Sequence, residues 1–160
     1  MTIQVGDKLP DATLTVATSE GPKPVSTAEF FGGKRVALFA VPGAFTPTCS
    51  AKHVPSFKDN AGVIKAKGVD EIACLSVNDA FVMKAWGEDQ KVGEDITMIA
   101  DGSGVFTRAL GLTMDASKFG MGERSQRYAM IVDDGVVEQL HVEAPGEFKV
   151  SSGDYLLTQL

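Results

Sequence analysis

The chain of 160 residues contains two cysteines, Cys49 and Cys74, and Cys49 stands where a reactive thiol is expected. It lies between an apolar run, Arg35–Ala40, which predicts a buried strand, and a segment, Ser50–Lys67, which predicts a helix. The Cys49 thiol is therefore expected at or near a helix N-terminus. Unpaired backbone N–H groups and the positive end of the helix dipole favour thiolate over thiol there, and the thiolate is the reactive form.

A helix end by itself does not make a thiol fully reactive. An ordinary cysteine has a pKa of about 8.5, and lowering a thiol's pKa to about 6 requires roughly 3.4 kcal/mol of differential stabilisation. A helix N-terminus typically supplies about 0.3–1 kcal/mol, so we expect a cation beside Cys49. Lys52 is close in sequence, and Arg127 and Arg124 are more distant candidates. The residues alone do not decide among the three.

His53 follows Cys49 by four residues, which places the two side chains on one face of a helix. The pair could begin a metal site, but a metal needs more ligands, and only Cys74 and His141 are left as thiol or imidazole candidates. We therefore expect no metal and no other cofactor. A supporting hydrogen bond near Cys49 is the favoured role for His53. A role as base for Cys49 and simple packing are the alternatives.

The composition is that of a soluble globular domain, and it limits the classes of function. Hydrophobic residues make up 44% of the chain, and 15 basic against 21 acidic residues leave a net charge of −6. This charge argues against binding to nucleic acid or to anionic membranes. Two cysteines fit a reducing compartment, and no signal peptide or membrane-spanning run of roughly 20 apolar residues is recognisable. We expect one domain over residues 1–160 and a cytoplasmic location.

Strand and helix patterns alternate along the chain, which predicts an α/β sandwich of three layers with strands of mixed direction. The further predicted strands are Glu71–Val77, Ile96–Ala100, Arg127–Val132 and Val136–Val142, and the further predicted helices are Ala80–Trp86, Val105–Leu110 and Gly153–Leu160. Asp133–Gly135 predicts a hairpin turn between the last two strands. Gly21–Pro24 is expected to form a loop, and Pro55 is expected to kink or interrupt the helix Ser50–Lys67.

The chain resembles the peroxiredoxins, and the resemblance rests on several ordered motifs. Pro42-x-x-x-Thr46-x-x-Cys49 matches the family's active-site pattern, and the whole string Val41–Ser50 is similar to the atypical type II branch, the fifth subfamily. Further matching blocks, which extend the resemblance over nearly the whole chain, are Lys65–Val69, Cys74–Val82, Ala85–Gly87 and Arg127–Gly135. The resemblance implies a thioredoxin-like fold, in which helices flank a central mixed sheet, and a thiol-dependent peroxidase activity.

The resemblance also implies roles for the matching residues. Cys49 corresponds to the nucleophile that attacks the peroxide and becomes a sulfenic acid. Arg127 corresponds to the arginine beside this cysteine, and it is preferred for that reason over the other cations. The Thr46 hydroxyl, the Cys49 backbone N–H and the Arg127 guanidinium are the expected donors to the peroxide oxygens. Pro42 is expected to shield the site from water.

The sequence indicates less directly which thiol reduces the sulfenic acid. Animal members of this branch carry a second cysteine near the C-terminus, where this chain has Val150. Cys74 is expected to be buried in its strand, and a disulfide with Cys49 would require local unfolding. We therefore expect a one-cysteine cycle in which glutathione with glutaredoxin, or else thioredoxin, acts as reductant. The likeness to plant and bacterial members suggests the glutaredoxin route and leaves Cys74 as a less favoured resolving residue.

The family resemblance further implies a homodimer. Phe45, Phe81 and Trp86 could supply apolar surface for it or could belong to the core. A non-enzymatic peroxide sensor or holdase with the same fold is the alternative function. A dithiol oxidoreductase is disfavoured, because Thr46 replaces the first cysteine of a Cys-x-x-Cys pair.

Overall fold

The computed structural model describes residues 2–160, and these are organised around a sheet of seven strands. The strands of the described chain are β1 (Thr13–Thr18), β2 (Gly21–Ser26), β3 (Arg35–Ala40), β4 (Glu71–Ser76), β5 (Thr97–Ala100), β6 (Thr113–Asp115), β7 (Glu123–Ser125), β8 (Tyr128–Asp133) and β9 (Val136–Val142). The large sheet has the order β2-β1-β5-β4-β3-β8-β9, and β6 pairs with β7 in a separate hairpin. Strands β3, β4 and β5 are parallel, whereas the outer pairings are antiparallel, so the sheet is mixed.

Helices cover both faces of the sheet. They are α1 (Thr27–Phe31), α2 (Val54–Asp59), α3 (Ala61–Ala66), α4 (Ala80–Asp89), α5 (Val105–Leu110) and α6 (Gly153–Gln159), with a π-helical turn at Cys49–His53 and a 3-10 turn at Ser117–Phe119. The bounds of α5 are those predicted. The predicted α/β sandwich of three layers is confirmed.

Two apolar clusters lie on the two faces of the sheet, because successive strand residues point to opposite sides. In β3, Phe39 belongs to one cluster together with Trp86 of α4, whereas Leu38 belongs to the other together with Phe106 of α5. The central strands are buried on both faces, which explains their nearly continuous apolar sequences.

The expectation of a loop at Gly21–Pro24 is wrong, because these residues form part of β2. Strand β2 is at the edge of the sheet, where Pro22 pairs with Ala17 and Pro24 pairs with Thr15. The two prolines are two residues apart and therefore have the same orientation in the strand. A missing N–H is tolerated on the outer side of an edge strand, where no neighbour requires it.

The predicted helix Ser50–Lys67 is divided, and Pro55 explains where. Val54 donates its backbone N–H to the Cys49 carbonyl, which is the i to i−5 bond of a π turn. Pro55 has no N–H, and its ring conflicts with the carbonyl four residues earlier in a regular α-helix, so a wider turn accommodates it. The chain then continues through α2 and breaks again at Asn60 before α3.

Gly153 lies where α6 begins against α2. Its N–H donates to Ser56 Oγ at 2.9 Å, and a Cβ at position 153 would lie 2.8 Å from the Ser56 carbonyl carbon and nearer still to the oxygen. We expect Gly153→Ala to lower the free energy of unfolding by about 1–3 kcal/mol, because the overpacked backbone must move. Gly62→Ala in α3 is the matched control, since its Cβ would meet nothing within 4 Å. It should raise stability by roughly 0.5–1 kcal/mol in the same urea titration, and equal effects of the two variants would contradict this packing argument.

Candidate active site

The loop after β3 is held at the C-terminal edge of the parallel strands. Asn78, which follows β4, accepts the Ala44 N–H at 3.0 Å and the Ser76 hydroxyl at 2.6 Å through its Oδ1 atom. Phe45 has a φ of 63°, in the left-handed region that bulky residues rarely occupy. Its ring lies 6.5 Å from the ring of Trp86. These contacts fix the point at which the following helix begins.

Cys49 lies in the first turn of that helix, as predicted. Helical conformation begins at Pro47, and the first α-type bond runs from the Ser50 N–H to the Thr46 carbonyl at 3.0 Å. The backbone N–H groups of Thr48 and Cys49 precede this bond and therefore have no α-helical partner. The Cys49 side chain is fully buried. A buried sulfur thus lies at the positive end of the helix dipole.

Arg127 is the cation that contacts this sulfur. Its Nη2 donates to Cys49 Sγ at 3.1 Å, and its Nη1 lies 2.8 Å from Nδ1 of His53. The arginine immediately precedes β8, which is antiparallel to β3 and pairs Tyr128 with Ala40. The start of β8 therefore lies beside the end of β3, and the sheet brings together two residues that are 78 positions apart.

His53 supports Arg127 as a neutral hydrogen-bond acceptor. Its Nε2 lies 2.9 Å from the Ser151 carbonyl, which can only accept, so Nε2 carries the proton and Nδ1 accepts from Arg127. Burial, together with the charge of Arg127, lowers the pKa of His53 to about 3, although the bond to Ser151 acts in the opposite direction. The predicted supporting hydrogen bond is therefore present, and Nδ1 faces the guanidinium rather than serving Cys49 as a base.

The Thr46 hydroxyl is oriented differently from the expectation. Thr46 Oγ1 donates its hydrogen to the Gly43 carbonyl at 2.6 Å, so it presents lone pairs, and not a donor, to any further group. The expected donor role is wrong for this arrangement, because one hydroxyl has a single hydrogen.

Arg124 supports the loop instead of the sulfur. It lies in β7, donates through Nε to the Met121 carbonyl at 2.9 Å, and reaches the Pro42 carbonyl with Nη1 at 3.4 Å. Sequence reasoning missed the β6–β7 hairpin that carries it, because two three-residue strands contain too few residues to show an alternating pattern.

Glu143, which sequence reasoning also missed, organises the segment behind His53. Its side chain accepts the backbone N–H groups of Lys149, Val150 and Ser151, together with the Ser151 hydroxyl, at 2.6–2.9 Å. Burial by itself raises the pKa of a carboxyl group, but these hydrogen bonds outweigh burial and hold the pKa of Glu143 below its usual value. In the sequence this residue resembles an ordinary surface glutamate at the end of a strand, so no local signal marks it.

The redoxin family profile matches residues 4–157 of the chain. "Peroxiredoxin-2B" of Arabidopsis thaliana is 49% identical over 99% of this chain and 98% of its own length. The chain belongs to the peroxiredoxins of the redoxin family. "Peroxiredoxin-2E-2, chloroplastic" of Oryza sativa subsp. japonica is 54% identical over 99% of this chain and 73% of its own length.

The solved structures agree with this assignment. Reduced Prx3 of Vibrio vulnificus, crystallised in complex with hydrogen peroxide, superposes with a TM-score of 0.95 at 57% identity and covers 99% of both chains. The thioredoxin-like fold implied by the sequence resemblance is therefore confirmed. Peroxiredoxins are peroxidases, so the expectation of a peroxide-reducing enzyme is confirmed at the level of the family.

The second cysteine of this peroxiredoxin is buried, as predicted. Cys74 lies in the middle of β4, opposite Phe39 of β3 and Met98 of β5, and both cysteines are free thiols in the described chain. Burial, with a further contribution from nearby Cys49, raises the pKa of the Cys74 thiol. Cys74 is therefore a weak nucleophile in the folded protein.

A cavity of about 450 Å³ opens beside the reactive centre of this peroxiredoxin. Its lining includes Pro42, Thr48 and Arg127, together with the apolar side chains of Met114, Phe119 and Pro145. The lining combines a guanidinium with several apolar side chains, so the cavity suits a small molecule that has both polar and apolar parts. Within residues 2–160, no helix has the length and apolar character needed to cross a membrane.

The buried histidine predicts how stability depends on pH. The pKa of His53 is about 3 in the folded protein, against 6.5 for an unperturbed histidine. Between these pH values the unfolded chain binds a proton that the folded protein does not. The free energy of unfolding therefore increases as the pH rises through this window and decreases on acidification. At about 1.36 kcal/mol per unit below 6.5, His53 should lower stability by about 2 kcal/mol between about pH 7.5 and about pH 5.

Urea unfolding of the parent and of His53→Gln at both pH values measures this contribution. The stability difference between the two proteins should shrink by about 2 kcal/mol at the lower pH. His141→Gln serves as the comparison, because His141 is only half-buried and should change less in the same direction. Parallel pH dependences of the parent and His53→Gln would contradict the assignment of a neutral, buried imidazole.

Proposed function

We propose that this peroxiredoxin reduces hydrogen peroxide and small alkyl hydroperoxides through the thiolate of Cys49. The observation that carries the proposal is the 3.1 Å contact between the Arg127 guanidinium and Cys49 Sγ in the first turn of a helix. A guanidinium and two unpaired backbone N–H groups supply positive charge and donors at one sulfur atom. The adjoining cavity provides space for a small peroxide.

The chemical step follows from this arrangement. The Cys49 thiolate attacks one peroxide oxygen, an S–O bond forms, and the O–O bond breaks. The second oxygen leaves as hydroxide or alkoxide and takes up a proton, so the products are water or an alcohol and a sulfenic acid at Cys49. The sulfur loses two electrons and the peroxide gains them.

Each neighbouring group has a role in the proposed step. The Arg127 guanidinium and the N–H groups of Thr48 and Cys49 stabilise negative charge on the oxygens as the O–O bond breaks. Thr46 Oγ1, whose hydrogen is donated to Gly43, accepts the hydrogen of the incoming peroxide. Pro42 fills the wall of the cavity beside the sulfur and limits the access of water.

Peroxide consumption by three variants tests the proposal. Cys49→Ser should be inactive, and Arg127→Gln should be about 100- to 1000-fold slower, because one preorganised charged donor is lost. Arg108→Gln is the matched control, since Arg108 forms an exposed pair with Glu123 and should leave the rate unchanged. Undiminished consumption by Cys49→Ser would refute the proposal. A single rapid oxidation without turnover under any reductant would favour the sensor or holdase instead.

For the second half of the cycle, we propose reduction by an external thiol, from glutathione with glutaredoxin or from thioredoxin. The burial of Cys74 and the raised pKa of its thiol support this route, and so does Val150 at the place of the second cysteine of animal relatives. The likeness to plant type II proteins favours glutaredoxin.

The Cys74→Ser variant tests the one-cysteine cycle. Turnover with glutathione and glutaredoxin should stay within about twofold of the parent, because Cys74 is not needed as a thiol. The same assay with thioredoxin in place of glutaredoxin ranks the two reductants, and Cys49→Ser supplies the blank. Loss of turnover in a folded Cys74→Ser protein would instead identify Cys74 as the resolving residue.

We also propose a cytoplasmic homodimer. Phe45 and Phe81 are 52% and 73% exposed and can lend apolar surface to an interface, whereas Trp86 is fully buried and belongs to the core. The net charge of −6 and the scarcity of cysteine support the location. Sedimentation equilibrium should give twice the chain mass, and a monomer at all concentrations would oppose the dimer. Recovery of the native protein in a membrane or organelle fraction would oppose the location.

A further inference from the structure

We propose that Glu143 is a positioning residue for the peroxidase reaction, acting on Cys49 through Ser151, His53 and Arg127. The reaction itself is the one given above as the proposed function, so this inference rests on it. Glu143 lines the same cavity as Arg127, but its carboxylate accepts its hydrogen bonds from residues 149–151 and not from the groups around the sulfur. Its effect is transmitted by consecutive hydrogen bonds, each of which restricts the direction of the next.

The first link is the anchoring of a loop. Three successive backbone N–H groups, those of residues 149–151, converge on the Glu143 carboxylate, and four donors reach its Oε2 atom. Glu143 is 7% exposed. Within residues 2–160, the groups that donate hydrogen bonds to its carboxylate are all neutral N–H and O–H groups. The nearby Lys149 ammonium instead lies 3.4 Å from Glu147. Removing the carboxylate would therefore leave several partly buried N–H groups without an acceptor.

The second link is the histidine tautomer. Ser151 is held to Glu143 by both its backbone N–H and its hydroxyl, at 2.8 and 2.6 Å. The carbonyl of the same residue accepts the Nε2–H of His53 at 2.9 Å. This bond orients the imidazole ring and keeps Nδ1 free of a proton. A histidine held in this way can only accept a hydrogen bond at Nδ1.

The third link is the guanidinium. Nδ1 of His53 accepts from Nη1 of Arg127 at 2.8 Å, and this bond aims Nη2 at Cys49 Sγ. Glu143 also donates its own backbone N–H to the Arg127 carbonyl at 2.9 Å. One residue therefore holds Arg127 at its backbone directly and at its guanidinium through the loop. The donors of a guanidinium lie in one plane at fixed angles, so the orientation of this plane decides whether Nη2 points at the sulfur.

Two variants test the proposal in a Cys74→Ser background, where alkylation reports on Cys49 alone. Glu143→Gln keeps the shape of the side chain but replaces one acceptor oxygen with an NH₂ group. This group is a donor and cannot accept the backbone N–H groups of residues 149–151. The midpoint of the curve of Cys49 alkylation rate against pH should rise by about one unit, which is a tenfold change in the ionisation equilibrium. The rate of reaction with hydrogen peroxide should fall about 10- to 100-fold, as when an outer partner of a functional histidine is lost.

Ser151→Ala is the second variant, and it removes only the 2.6 Å hydroxyl bond. It should shift the alkylation curve and the peroxide rate in the same direction as Glu143→Gln, but by less. If Glu143→Gln does not fold, the result for Ser151→Ala tests the proposal in its place. Glu138→Gln is the matched control, because Glu138 precedes Glu143 in the same part of the chain but pairs with Arg35 at the opposite end of β3. It should leave the alkylation curve and the peroxide rate unchanged.

The readouts separate positioning from simple stabilisation. A purely structural Glu143 would lower the urea midpoint while the folded variant kept the parent's alkylation curve and peroxide rate, and that result would overturn the proposal. ¹⁵N resonances of His53 give a further readout, since the fraction of the Nε2–H tautomer should fall in Glu143→Gln. If the parent itself fails to consume peroxide, the proposed function is wrong, yet the alkylation curves and tautomer still decide whether Glu143 positions Arg127.

Discussion

The structure depends on holding one guanidinium against one buried sulfur. An anion inside a protein is unfavourable unless a cation and hydrogen-bond donors accompany it, and a buried cation has the same requirement. Arg127 and Cys49 meet both needs with a 3.1 Å contact, while His53 accepts from the second arm of the guanidinium. Burial and the neighbouring charge keep His53 neutral, so a second positive charge does not compete at the site.

The sheet explains why these groups meet. Strand β3 ends where the antiparallel β8 begins, so the loop that carries Pro42 and the helix that carries Cys49 leave the sheet beside Arg127. Hydrogen bonds from polar side chains then fix the conformation of the segments between the strands. Asn78 holds the loop, and Glu143 holds the segment that receives His53. The scaffold therefore supplies the approximate location, and a few hydrogen bonds supply the direction of each reactive group.

Irregular backbone is concentrated at the same place. Phe45 has a left-handed backbone, and a π turn spans Cys49–His53 in the helix that begins at Pro47. Such departures from regular geometry are commonly found at functional sites, where surrounding contacts maintain them. Pro55 makes the wide turn favourable, and that turn carries Cys49 and His53 together against Arg127. A feature that appears in the sequence as a helix breaker thus contributes to the geometry of the site.

Local signals in the sequence determined the position of Cys49 at the start of a helix, the bounds of α5, the hairpin turn at Asp133–Gly135 and the family motif from Pro42 to Cys49. These features depend on neighbouring residues, so short patterns reveal them. The family motif favoured Arg127, but only the tertiary structure brought its guanidinium to the sulfur, placed the prolines of β2 in an edge strand and gave Glu143 the loop that it holds. Those outcomes depend on groups far apart in the chain, because burial, charge and hydrogen-bond direction exist only once the strands are paired.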